Sequence, residues 1–141
     1  VNISSEITTA EVTESVSCIS AIPKVREKLV EYQREMADGI DVVLEGRDIG
    51  TVVFPDADHK FFLIADIHER AKRRMQEMEA KGEIVSLSAL TAELEERDRI
   101  DSTREHSPLK KAEDAVEIDT TGLSIEQQVN RIVEIVTKSI K

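Results

Sequence analysis

The chain has 141 residues, 40% hydrophobic and only 3% aromatic, with no tryptophan. That is enough apolar material for one domain, or one with a small appendage, and it excludes wholesale disorder; the core has to rest on Val, Ile, Leu, Ala and Met. Nineteen Lys and Arg against 29 Asp and Glu give a net charge of −10. This argues against polymeric nucleic acid as partner but leaves room for a small phosphorylated ligand held by a few arginines.

Cys18 is the only cysteine, so no internal disulfide can form, and a reducing, cytoplasmic setting is expected. No apolar run is long enough to span a membrane, and no basic region precedes a long apolar one near the start, so no membrane association is expected. A first residue of Val1 rather than Met suggests processing or truncation.

In chain order, Thr9 is suited to cap a helix over 9–21, with Val12, Val16 and Ile19 at helical spacing. Pro23 suits the first turn of a second helix, in which Val25, Leu29, Tyr32 and Met36 share a face. Val42-Val43-Leu44 and the run over 61–65 (FFLIA) predict strands, apolar enough to be covered on both sides. A helix over 68–80 should end at Lys81-Gly82, with glycine as its cap. Another, over 88–104, stops before Pro108. A third strand falls at 115–118 (AVEI). The last helix, over 124–140, carries an apolar stripe of Ile125, Val129, Ile132, Val133 and Val136, and Ser124 with Gln127 forms a capping box. Strands alternating with helices indicate an α/β fold with a parallel sheet. Residues 67–107 are charge-dense and read as an excursion from the core, a mobile flap.

Three clusters could carry chemistry. Glu45-Gly46-Arg47-Asp48 follows an apolar strand, and ligands of open α/β sheets sit beyond strand ends. A solvated strand end with a salt bridge is the other reading. Arg97, Asp101 and Arg104 fall on one helix face, two guanidinium groups flanking a carboxylate. They suit a phosphate clamp with the carboxylate free for sugar hydroxyls, or else a surface laced with ion pairs. Asp98 and Arg99 point away from that face. Arg70, Arg73 and Arg74 form a third, basic cluster on a helix after a strand, which is either a phosphate contact or a solvated patch. His59, His68 and His106 are scattered without metal-ligand spacing. Neither G-x-S-x-G nor G-x-x-x-x-G-K-[ST] occurs: none of Gly39, Gly46, Gly50, Gly82 and Gly122 precedes Lys-Ser or Lys-Thr.

Ser17, Pro23-Lys24-Val25-Arg26, the run EGRDIGTVVFPDA over 45–57, Glu96 through Arg104, Pro108-Leu109 and DTTGLSIE over 119–126 together resemble bacterial cytidylate kinase, in order along the whole chain. The resemblance implies the fold of a P-loop nucleoside monophosphate kinase with a helical lid, incomplete because the N-terminal phosphate-binding loop is absent. Its reaction is phosphoryl transfer from ATP to CMP or dCMP, with Mg2+ accompanying ATP. The implied segments are 1–38, the end of a CMP-binding insertion and a return helix; 39–66, core strands; 67–107, an arginine-rich lid; and 108–141, a core strand and the C-terminal helix.

By the same resemblance, Ser17 and Asp101 meet ribose hydroxyls, and Arg26 and Asp48 read cytosine. Arg47, Arg97 and Arg104 hold phosphate in catalysis, and Arg70, Arg73 and Arg74 belong to the ATP side and the lid. Glu45, where the family usually has Asp, orients a magnesium-bound water. Thr8 stands where the family usually has arginine, which leaves CMP affinity, and the choice among CMP, dCMP and UMP, open. The complete enzyme is expected to be monomeric and this chain alone inactive, marginally stable and self-associating through open strand edges. A non-catalytic CMP- or phosphate-binding module and a purely structural protein remain as alternatives.

Overall fold

The computed structural model describes residue 3 and residues 6–139, without the side chains of residues 8, 10, 13, 14 and 17. Along the chain lie a 3₁₀ turn at Glu6–Thr8, helices α1 (Ala10–Ser20) and α2 (Pro23–Met36), and a π-helical turn at Ile49–Val53. Strand β1 (Phe61–Ile64), α3 (Ile67–Ala80), α4 (Leu87–Thr103), strand β2 (Val116–Asp119) and α5 (Ile125–Ser139) follow. The fold is α/β with a parallel sheet: Phe61 stands opposite Val116 and Ile64 opposite Asp119. The chain forms two compact units, one of Val1–Asp56 and Glu96–Lys111, the other of Ala57–Glu95 and Ala112–Lys141.

Helix limits follow local chemistry, which is why periodicity and caps place them well. Thr9 Oγ1 accepts from the Val12 amide at 3.4 Å, and Pro23 opens α2 where its missing N–H costs nothing. Asp66 Oδ1 accepts from the amides of His68 and Glu69 at 2.9 and 3.2 Å, starting α3 one residue before the expected position. Gly82, at φ +82°, follows the end of α3 in a conformation that favours glycine. Ser124 and Gln127 close a reciprocal box at the head of α5: Gln127 Oε1 accepts from the Ser124 amide at 2.8 Å, and Ser124 Oγ from the Gln127 amide at 3.2 Å. Residue 140, the expected end of that helix, lies outside the described residues.

In the second unit the two strands are joined beyond their C-terminal ends. The Thr120 amide and hydroxyl both donate to the Ile64 carbonyl, at 2.8 and 3.0 Å, and the Asp66 amide donates to Thr121 Oγ1 at 2.9 Å. Ile118 on β2, Ala71 on α3 and Leu90 on α4 are buried. Much apolar surface nevertheless remains outside: Leu63 of β1 and Ile125, Val129 and Val133 of α5 are at least half exposed. The expectation that β1 is covered on both sides is therefore not met in the described residues.

The strand expected at Val42-Val43-Leu44 does not form. These residues belong to the first unit, pair with no strand among the described residues, and leave Val43 fully exposed. A run of β-branched residues supplies the conformational preference for a strand, but a strand persists only where a neighbour completes its hydrogen-bond ladder. Glu45-Gly46-Arg47-Asp48 thus leads from irregular chain into the π-helical turn and does not emerge from a strand end.

Helix α2 also departs from its apolar pattern. Leu29, Tyr32 and Met36 are exposed, while the residues turned inward are Val25, Arg26, Val30, Gln33 and, at the C-terminal cap, Ala37. Lys28 lies over the outward Tyr32 ring, 4.5 Å from its centroid.

The capping box gives a direct test. Ser124→Ala removes one acceptor and should lower stability by about 1 kcal/mol. Urea unfolding should show a lower midpoint with an unchanged slope, because the surface exposed on unfolding stays the same.

Candidate functional site

The last turns of α4 and the chain after it fix one wall of a cavity in the first unit. Arg97, Asp101 and Arg104 stand at i, i+4 and i+7, as expected of one helix face. Beyond the helix, Ser107 adopts a positive φ of 53°, which turns its carbonyl to accept from Arg104 Nε at 2.5 Å. The Leu109 amide closes back on the Asp101 carbonyl at 2.7 Å. Asp101 itself is buried. Its carboxylate meets Arg47 Nε at 2.8 Å and lies 3.8 Å from Arg104 Nη1.

The opposite wall comes from α2 with Gly46 and Asp48, whereas Arg47 between them turns its guanidinium to Asp101 on the α4 side. Asp48 is 3% exposed and forms a buried ion pair with Arg26. Its backbone carbonyl accepts from the amides of Thr51, Val52 and Val53, at 3.3, 2.8 and 3.2 Å, so the turn that follows fixes the carboxylate's root. Arg34, eight residues after Arg26 on α2, donates to the carbonyls of Val52 and Val53 at 2.7 and 2.8 Å. Gly46 has no positive φ, but space beside it is tight: a Cβ there would come within 3.0–3.1 Å of the Ile49 side chain, which would have to shift by a few tenths of an ångström.

Between these walls lies a cavity of about 150 Å³, bordered among others by Arg26, Gln33, Asp48, Arg97, Asp101 and Arg104. Its lining is unusual in one respect. Arg26 Nε, Gln33 Oε1, Asp48 Oδ2, Arg97 Nε and Arg104 Nη2 are buried without a hydrogen-bond partner, and among the described residues these are all such side-chain atoms. Buried polar atoms in folded proteins are nearly always paired. Five unpaired atoms around one small cavity, three donors and two acceptors, can be met by a group that both donates and accepts.

The charge is divided between the walls. Arg47, Arg97 and Arg104 against Asp101 leave two positive charges on the α4 side; Arg26 against Asp48, with neutral Gln33, leaves none on the α2 side. Arg99, by contrast, takes both oxygens of Glu96 at 2.7 Å on the exposed surface. That pairing holds the Glu96 carboxyl below its usual range and raises the arginine.

Arg26, Arg47, Asp48, Arg97, Asp101 and Arg104 are therefore brought together. For Ser17 the side chain lies outside the described residues, although Val16 and Ser20 border the cavity. Glu45 is exposed and is not at a strand end. Among the described residues no three His, Cys, Asp or Glu side chains converge to hold a metal ion. Mg2+ binds through one or two carboxylates and the phosphates of its nucleotide, so an isolated Glu45 suits a metal carried by ATP but not a resident one. Arg70, Arg73 and Arg74 lie on α3 in the second unit. Arg73 Nη2 donates to the Thr120 carbonyl at 2.6 Å and its Nε to Glu69 at 3.3 Å, while Arg74 pairs with Glu77. Gln33 was not singled out in the sequence, yet its spacing of seven from Arg26 puts the two on one helix face.

The family described as "Cytidylate kinase" matches residues 1–138. The cytidylate kinase of Lactobacillus johnsonii is 51% identical over 99% of this chain, and that of Geobacillus sp. 54% identical over 95%. That of Listeria welshimeri is 50% identical over 99%. The chain spans 61%, 60% and 62% of the length of these three relatives, respectively. With a family match over nearly all its residues and such identities, the chain belongs to the cytidylate kinase family.

Proposed function

We propose that the first unit is the acceptor side of a phosphotransferase that moves the γ-phosphoryl group of ATP to CMP or dCMP, and that its cavity takes the nucleoside monophosphate. The observation that carries this reading is the set of five unpaired buried atoms, divided between a charged and a neutral wall. A phosphomonoester carries about −1.5 to −2 charge at neutral pH, which complements the α4 wall. A nucleobase is neutral and presents donors and acceptors at its edge, which suits the α2 wall.

In this arrangement Arg47, Arg97 and Arg104 hold the phosphate, and Asp101 keeps Arg47 and Arg104 in place. A carboxylate has about four acceptor positions, so Asp101 can still take a ribose hydroxyl, with Ser17 as its partner there. Asp48 Oδ2 accepts from the exocyclic amino group of cytosine, and Arg26 Nε donates to a ring acceptor. Phosphoryl transfer needs positioning and charge neutralisation more than proton transfer, so no general base is assigned. Magnesium, when bound with ATP, neutralises donor phosphate charge, with Glu45 orienting one of its waters.

The chain contains no G-x-x-x-x-G-K-[ST] run to cradle donor phosphates, so alone it acts as a CMP-binding module without turnover. Residues 67–107 are assigned to a lid, with Arg70, Arg73 and Arg74 facing ATP. Arg73 can serve only by releasing Thr120 and Glu69. Self-association of the isolated chain belongs to the same reading and is supported by exposed Val43, Leu63 and Ile125.

Calorimetric titration with CMP tests the phosphate wall. Arg97→Ala should weaken binding roughly 10- to 100-fold, the loss of a charge-assisted contact, about 1.5–3 kcal/mol. Arg99→Ala, on the exposed surface, should be silent. Equal losses at both positions would mean that the clamp is not where the cavity places it. Asp48→Asn tests the other wall. An amide can donate to the carbonyl of uracil, which repels a carboxylate, so the preference should move from CMP toward UMP. An unchanged ratio would leave Asp48 with a structural role only.

A further inference from the structure

The phosphate and the base are accounted for by five charged side chains, but one neutral group of the cavity has no task. Gln33 is half-buried on the inward stripe of α2, two turns from Arg26, and borders the same cavity as Asp48. Its Oε1 is fully buried without a hydrogen-bond partner. Val30, the residue between Arg26 and Gln33 on that stripe, is apolar and equally turned inward, so a Leu or Met at 33 would continue an ordinary core face. An amide there instead leaves an acceptor unsatisfied in the free protein, a destabilising arrangement unless a ligand completes it.

Two acceptors in the cavity are unpaired, Asp48 Oδ2 and Gln33 Oε1. Both belong to the wall without net charge, so their complement is a neutral group with two hydrogens to give. An exocyclic amino group has two N–H bonds and one carboxylate oxygen takes only one of them. We infer that Gln33 is a second base-reading residue, whose amide oxygen accepts the amino hydrogen that Asp48 leaves free. The inference rests on the reading of this cavity as a CMP site. It adds a division of labour. Asp48 can only accept, whereas the amide of Gln33, turned over, offers an NH2 group to a carbonyl. Gln33 therefore strengthens binding of either pyrimidine, and discrimination rests on Asp48.

The full chain, titrated calorimetrically with CMP, UMP and ribose 5-phosphate, tests this. Gln33→Met keeps the length of the side chain and removes the amide. CMP affinity should fall about tenfold, the scale of one lost hydrogen bond in a buried site. Ribose 5-phosphate, which has no base, should bind as before, and the thermal midpoint of the free chain should hold or rise because an unsatisfied acceptor is gone. Gln33→Glu keeps acceptor oxygens but cannot donate when ionised, so the CMP-to-UMP ratio should increase several-fold. CMP binding unchanged in Gln33→Met, or an equal loss for ribose 5-phosphate, would overturn the assignment. So would a Gln33→Glu chain with an unaltered ratio, or failure of both variants to unfold cooperatively, which would place Gln33 in packing. An unmodified chain that binds neither CMP nor ribose 5-phosphate would refute the reading of the cavity itself, and this inference with it.

Discussion

A carboxylate removed from water must be met by positive charge or lose its ionisation, and the first unit is arranged around two of them. Asp48 and Asp101 are each 3% exposed, and the partners they require fix much of what surrounds them. Asp101 draws Arg47 to the end of α4, while Asp48 holds Arg26 on α2. Neither pair need stabilise the fold over an apolar alternative, since buried ion pairs often do not. What they achieve is position: the guanidinium groups of Arg26 and Arg47 are held at set places around a small cavity.

That arrangement explains the orientation of α2. A helix with an apolar stripe ordinarily turns it inward, because burial contributes about 25 cal/mol per Å². Here Leu29, Tyr32 and Met36 stay at the surface while Arg26 and Gln33 point inward. The demands of two buried carboxylates compete with the hydrophobic pattern. Strained or unsatisfied local choices of this kind are what functional sites retain.

Features decided within a few residues were legible from the sequence. Thr9, Gly82 and the Ser124–Gln127 box act through short hydrogen bonds or backbone preference, so type and spacing suffice for these helix ends, and Asp66 caps α3 by the same chemistry. Arg97, Asp101 and Arg104 were legible as one face for the same reason. The absence of a strand at Val42–Leu44 is not legible in the sequence, because ladder pairing is a property of two segments and a run of valines reports only one. Gln33 escaped notice because the neighbouring apolar stripe supplied a simpler account of the helix. Arg73 meets Glu69 one turn away on its own helix, a pairing the spacing announces, and Thr120, 47 residues away, a partnership that no local pattern announces.

The attachment of α2 to the π-helical turn has a different character from the ion pairs beside it. Among the described residues no carboxylate pairs with Arg34 where it meets the turn; it rests on two carbonyl dipoles at the turn's C-terminal end, where helical carbonyls lack partners. Surface pairs such as Lys28–Glu31 weaken as added salt screens them, since their energy is a difference between solvated charges. A short, directional contact between a cation and a carbonyl is far less exposed to that screening, and its acceptor does not titrate. The brace that sets the shape of the α2 wall is thus decoupled from ionic strength, and a salt series on this chain would read the attraction for the ligand's charge without loosening the frame that receives it.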